Sequence, residues 1–241
     1  MTVDPSLATD STDPAGSRHI QTFVVRRGRL TTAQERALAE HRDRYLLPVD
    51  PADPAAAPLD LAAVFGRRAP VVLEIGFGMG EATAELARAW PDHDFLAVDV
   101  HTPGVGGLID KCLPHALTNV RIIEGDAIQL VRRLIPADSL ARIHIFFPDP
   151  WPKRKHQKRR IIRPDLVGDL ASRLAPGGVL HTATDWVQYA DKMLGVLSAE
   201  PLLRNRFEGF APRPAHRPLT KFEQQGIAKG HLIRDLVFER V

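Results

Sequence analysis

From residue 70 onward, short continuous apolar runs alternate with amphipathic stretches, and this alternation constrains the fold more than any other feature of the chain. PVVLEI, HDFLAVDV, VRIIEGD, ARIHIFF and VLHTATD read as five strands. GEATAELARAW, a stretch near 105–117, AIQLVRRLI, PDLVGDLASRLA and WVQYADKMLGVLSA read as the helices that follow them. Strands without polar alternation are buried on both faces, which requires a mainly parallel, doubly wound α/β sheet covered by helices. Pro164 suits a first helical turn, and that helix is expected to stop at Gly177 and Gly178. HLIRDLVFER mixes apolar and charged positions and reads as a half-exposed edge or hairpin strand, the C-terminal antiparallel strand of the sheet.

The 241 residues fit one domain with short additions. Residues 1–17 are polar and contain Pro, Gly and Ser, and read as a disordered tail. Residues 18–60 form an N-terminal extension, with a basic segment and a helix capped by Thr31 or Thr32 that carries Ala37, Leu38 and Tyr45. Residues 61–241 form the main domain. Cys112 is the only cysteine, so an intramolecular disulfide and a Cys-rich zinc site are both excluded, and no metal is expected. No basic-then-apolar leader and no apolar run of membrane-spanning length is present, and the expectation is a cytoplasmic chain without membrane contact. No obligate protein partner is evident.

In parallel sheets, ligands bind outside the carboxyl ends of the strands. That rule selects the loops at 74–80, 99–106, 124–126, 147–160 and 184–186. LEIGFGMGE places Gly76, Gly78 and Gly80 between a strand and a helix, where backbone can approach a ligand closely. Their G-x-G-x-G spacing departs from the dinucleotide fingerprint, which disfavours a nicotinamide oxidoreductase. Glu74, Asp99 and Asp126 end successive strands. Three acids around one cleft would repel a pyrophosphate, but they suit a ligand with a ribose, an adenine amino group and a cation. S-adenosylmethionine has all three. Glu74 would support the glycine loop and the methionine end, Asp99 would accept from ribose hydroxyls, and Asp126 would lie near the adenine. Ordinary solvated acids at a tight turn are the plainer alternative.

FFPDPWPKRKHQKRR sets an acid among prolines beside a dense cationic run. Pro148, Pro150 and Pro152 fix φ and hold Asp149 and Trp151 stiffly at the end of the fourth strand. A rigid acid can accept from guanine's ring N–H and amine while the indole stacks on the base. Core packing of Trp151 is the alternative. Lys153, Arg154, Lys155, Lys158, Arg159 and Arg160 would then hold phosphates, with Arg26, Arg27 and Arg29 extending the surface.

EIGFGMGE, FFPDPWPKRKHQKRR, TDWVQYA and RPLTKFEQQGIAKGH together resemble the bacterial tRNA (guanine-N7-)-methyltransferase family, and FVVRRGRLTTAQ is similar to its N-terminal segment. The resemblance covers roughly residue 20 to the end. It implies a Rossmann-like class I methyltransferase fold, S-adenosylmethionine as cofactor, tRNA as partner, and methylation of the variable-loop guanine. Carried over by motif, Glu74, Asp99, Asp126 and Asp149 line the cofactor site, and Asp149 is the catalytic candidate. Lys153, Asp185, Thr220, Lys221, Phe222 and Glu223 contact substrate, and Lys155, His156, Gln157, Lys158, Arg159 and Arg160 form an RNA-interaction segment. The family often has Glu at the position of Asp99 and Arg at that of Gln225. Two other activities compete: methylation of an exocyclic amine, since DPW is similar to the D-P-P-[YFW] turn of amino-methyltransferases, and RNA binding without catalysis.

Overall fold

The computed structural model describes Ile20, Thr22, Phe23 and residues 28–241, apart from the side chains of Lys221 and Phe222. The expected tail over 1–17, and Arg26 and Arg27, lie outside the described residues. Seven strands, β1 (Val71–Ile75), β2 (Asp94–Asp99), β3 (Val120–Glu124), β4 (Leu140–Phe146), β5 (Leu174–Thr184), β6 (Leu203–Asn205) and β7 (Arg234–Arg240), form one sheet in the order β3-β2-β1-β4-β5-β7-β6. The first five are parallel, and β7 runs antiparallel to both β5 and β6. The five parallel strands are those expected from the sequence.

The helices are α1 (Thr32–Tyr45), α2 (Leu61–Phe65), α3 (Glu81–Ala89), α4 (Thr102–Cys112), α5 (Ala127–Gln129), α6 (Pro164–Arg173), α7 (Val187–Ser198) and α8 (Lys221–Ala228). Alternate residues of each strand serve opposite faces. Val72, Phe95 and Ile122 pack with α1, α3 and α4, whereas Leu73, Leu96 and Ile143 pack with α6 and α7. Thr31 caps α1 in a reciprocal box with Gln34, and Tyr45 anchors the helix end by donating its hydroxyl to Leu117 O at 3.0 Å.

Four local readings are corrected. α4 begins at Thr102, not near 105, because its glycines serve packing: a Cβ on Gly104 would lie 2.1 Å from Gly78 O. The expected helix over 127–135 is one α-turn continued by a π-helical turn at Leu130–Leu134. α6 ends at Arg173, short of the glycines, because Leu174 already pairs with Leu140 across an irregular register. The C-terminal strand is internal to the sheet, with Leu236 and Phe238 fully buried, and β6, which sequence periodicity did not reveal, takes the edge.

Candidate active site

The chain leaves β1 toward β2 on one side, and β4 is flanked by β5 on the other, so a crevice opens where β1 and β4 meet. A cavity of about 320 Å³ lies there, lined by Gly76, Asp99, His101, Gly125, Phe147 and Asp149 among others. A second, of about 480 Å³, shares Gly76, His101, Phe146 and Phe147, and adds Glu74, Gly78 and Thr220. The structure thus brings Glu74, Asp99 and Asp149 to two cavities with a shared wall, although they are 75 residues apart in sequence at the extremes.

Asp99 is fixed entirely by backbone. Oδ2 accepts from Gly78 N at 3.0 Å, and Oδ1 accepts from Val100 N at 2.7 Å and His101 N at 3.1 Å. Burial nevertheless pushes its carboxyl above the usual range, more than these bonds pull it down. Glu74 is 3% exposed and accepts from Thr83 Oγ1 at 2.8 Å. Burial pushes it up to about 7, with the Asp99 charge adding in the same direction. Asp126 caps α5, accepting from Ile128 N at 2.8 Å, while its neighbours Gly125 and Ala127 line the first cavity. Gly76, Gly78 and Gly80 all have positive φ. Gly80 serves packing, since a Cβ there would lie 2.5 Å from Leu108 Cβ.

Asp149 is exposed, on a turn whose two ends are strained: Phe147 and Trp151 have φ of 53° and 42°. Three bonds hold that strain. Phe147 N donates to Ala183 O at 2.7 Å, Trp151 Nε1 donates to Thr22 O at 3.3 Å, and Arg160 Nε donates to Pro150 O at 2.7 Å. Arg160, the last residue of the expected RNA-interaction segment, is buried with its guanidinium over the Tyr189 ring and pins the turn from within. Lys153, Lys155 and Lys158 are exposed on and beside the 3₁₀ turn Arg154–Arg159, along with the partly exposed His156 and Gln157. Arg159 stacks on Trp151 at 5.0 Å, so the indole is half-buried and carries a cation on its face.

Around the C-terminal motif, Asp185 Oδ2 meets His231 Nδ1 at 2.9 Å, and Thr220 caps α8 by accepting from Glu223 N at 3.3 Å. Glu223 is fully buried and held by Arg217 and Arg213, which occupy both of its carboxylate oxygens. The side chains of Lys221 and Phe222 lie outside what the structure describes. Sequence reasoning missed His101, Phe146 and Phe147, which line both cavities. His101 was within reach, since it follows the Asp99 strand end by two residues. Among the described residues, no group of His, Cys, Asp and Glu is placed to hold a metal, and no helix is long and apolar enough to cross a membrane.

Comparisons with known proteins bear on this crevice. A family model described as "Putative methyltransferase" matches residues 68–236. The tRNA (guanine-N(7)-)-methyltransferase of Aromatoleum aromaticum is 52% identical over 98% of the chain and 94% of the relative. The proteins of the same name from Verminephrobacter eiseniae and Bordetella pertussis are 56% and 51% identical, over 95% and 97% of the chain and 85% and 90% of the relatives. Among solved structures, the 16S rRNA methyltransferase KamB aligns with a TM-score of 0.56 at 16% identity, covering 77% of the chain and 95% of KamB. The aminoglycoside resistance methyltransferase NpmB1 gives 0.52 at 16%, covering 76% and 92%. At such identity the structural likeness shows the fold alone, a class I methyltransferase fold.

Proposed function

Because the chain belongs to the tRNA (guanine-N(7)-)-methyltransferase family, we propose that it transfers a methyl group from S-adenosylmethionine to N7 of a guanine in tRNA. The observation that carries this reading is the meeting of Asp99, the glycine loop and the Asp149 turn in one crevice. The finer reading, that the target is the variable-loop guanine, follows the family resemblance.

The residues present fit the cofactor. Two adjoining cavities suit an elongated ligand, with a hydroxyl-accepting carboxylate, Asp99, in one and a buried carboxylate, Glu74, for a cationic end in the other. Bound there, S-adenosylmethionine supplies an electrophilic sulfonium methyl. The in-plane lone pair of guanine N7 carries no proton, so the acceptor needs no general base. Catalysis then rests on positioning and electrostatics. Asp149 accepts from the guanine ring N–H and amine, and its charge offsets the positive charge that develops on the purine. The exposed Lys153, Lys155 and Lys158 hold phosphates beside the target. A tRNA substrate suits a cytoplasmic enzyme.

Nucleoside mass spectrometry of tRNA incubated with the protein and S-adenosylmethionine tests the reading. The expected product is N7-methylguanosine, and a methyl on an exocyclic amine, or none at all, contradicts it.

A further inference from the structure

The bulkiest of the fully buried side chains described is a cation, Arg217. An unpaired guanidinium would be very costly there, and the fold places two carboxylates around it. Nε and Nη2 donate to the two oxygens of Asp235 at 2.7 and 3.0 Å. Nη1 and Nη2 donate to the two oxygens of Glu223 at 2.6 and 2.8 Å. Both carboxylates are buried, and Asp235 also meets His181 Nε2 at 2.8 Å. Arg213, half-exposed, adds a bond from Nε to Glu223 at 3.1 Å and one from Nη2 to Arg217 O at 2.6 Å.

The two carboxylates belong to different walls of the crevice. Glu223 is the third residue of α8, whose cap Thr220 lines the larger cavity. Asp235 lies in β7 opposite Ala183, and Ala183 O also holds Phe147 N, the start of the Asp149 turn. The guanidinium carbon of Arg217 lies 5.7 Å from the centre of the Phe147 ring and 6.0 Å from that of Phe146. One side chain therefore fixes α8 and the Phe146–Phe147 wall relative to each other, and Arg217 is not itself among the residues lining either cavity. A planar fork can serve two carboxylates at once, as a lysine's point charge cannot. A buried ion set of this kind commonly adds little net stability over an apolar replacement, which suits a role in placement.

We propose that Arg217 is a positioning residue for methyl transfer, acting through Glu223 and Asp235 to set the N-terminal turn of α8, with Thr220, against the reacting space. The proposal rests on the methyltransferase reading above, which wild-type activity alone decides.

The test compares Arg217→Lys, Glu223→Gln and the double variant in single-turnover methylation at saturating tRNA and S-adenosylmethionine, normalised to folded protein, with amide exchange over 220–226. Loss of placement should slow transfer about tenfold or more in each single variant. The double variant should be no slower than the slower single, because the two residues act as a unit. Amides of α8 should exchange faster while those of β1 do not. Should Arg217→Lys fail to fold, Arg213→Ala at the exposed rim carries the same test, with an expected slowing of about threefold. Unchanged transfer per folded molecule, with only a lower Tm, overturns the proposal and leaves a brace. Loss of transfer in Glu223→Gln with full transfer in Arg217→Lys also overturns it, by showing that Glu223 itself meets the substrate.

Discussion

Asp99 and Asp235 are both strand carboxylates with several hydrogen-bond partners each, yet one faces a cavity and the other is sealed in the protein. The partners make the difference. Asp99 is held by three backbone N–H groups, which fix its direction without neutralising it. Asp235 is held by Arg217 and His181, and its charge is consumed internally. The crevice where β1 and β4 meet therefore keeps acids facing its cavities, while the layer beneath α8 uses its acids to hold Arg217 beside the crevice's far wall. A motif acid cannot be assigned to substrate until its partners are known.

The largest expected effect that sharpens this comparison concerns Glu74. Its carboxyl is raised by burial from 4.5 to about 7, so the folded protein binds a proton that the unfolded chain releases between those values. Its contribution to stability is thus fully present below pH 4.5 and lost as pH rises through 7. The difference corresponds to roughly 3 kcal/mol at about 1.4 kcal/mol per pH unit. Glu74→Gln should remove that pH-dependent component from denaturant melts between pH 4.5 and 8. S-adenosylmethionine affinity should move the other way, climbing through pH 7 as the ionised carboxylate meets a cation. Affinity flat across that range in calorimetry would place Glu74 with the internal acids.

Asp99→Ala should weaken S-adenosylmethionine binding by about 1.5–3 kcal/mol and leave tRNA binding intact. Unchanged cofactor affinity would erase the distinction between the two regions. Arg160→Met should lower stability by about 1–3 kcal/mol through loss of the bond to Pro150 O, with no change in the salt dependence of tRNA binding. By contrast, Lys155, Lys158 and Arg159 replaced together by Ala should flatten that dependence, each lost phosphate contact reducing the log–log slope by roughly 0.7–0.9. A flatter slope for Arg160→Met would return it to the RNA-facing surface. The smallest effect is expected for His231→Ala at the half-exposed pair with Asp185, within about 1 kcal/mol of wild-type stability by thermal melts.

The five parallel strands, with Glu74 and Asp99 at or near strand ends, were legible because strand-loop-helix order fixes where such residues point. The position of the proline-rich turn at the end of β4 was legible for the same reason, whereas the bonds that hold its strained ends, from Phe147 N to Ala183 O and from Trp151 Nε1 to Thr22 O, come from distant parts of the chain. What sequence could not show was long-range pairing. Arg217 lies six residues before Glu223 and eighteen before Asp235, a spacing that matches neither helix nor strand periodicity. Its burial depends on β7 entering the sheet between β5 and β6, and the charged positions of HLIRDLVFER argued against that placement. The burial of Arg160 was hidden for a related reason: in a run of six basic residues, nothing local marks the one that turns inward. The glycines of α4 hid its first turn, since low helical propensity was overridden by close packing on the glycine loop.

The most direct test of the central claim is a tRNA carrying 7-deazaguanine at the target position. The nucleophilic lone pair is replaced by C–H, while the ring N–H and amine that Asp149 would accept from remain. Binding should change by no more than the worth of one base-edge contact, about 1–3 kcal/mol. Methyl transfer measured by nucleoside mass spectrometry should vanish. Transfer at an undiminished rate would contradict N7 as the acceptor and point to methylation of an exocyclic amine in this crevice.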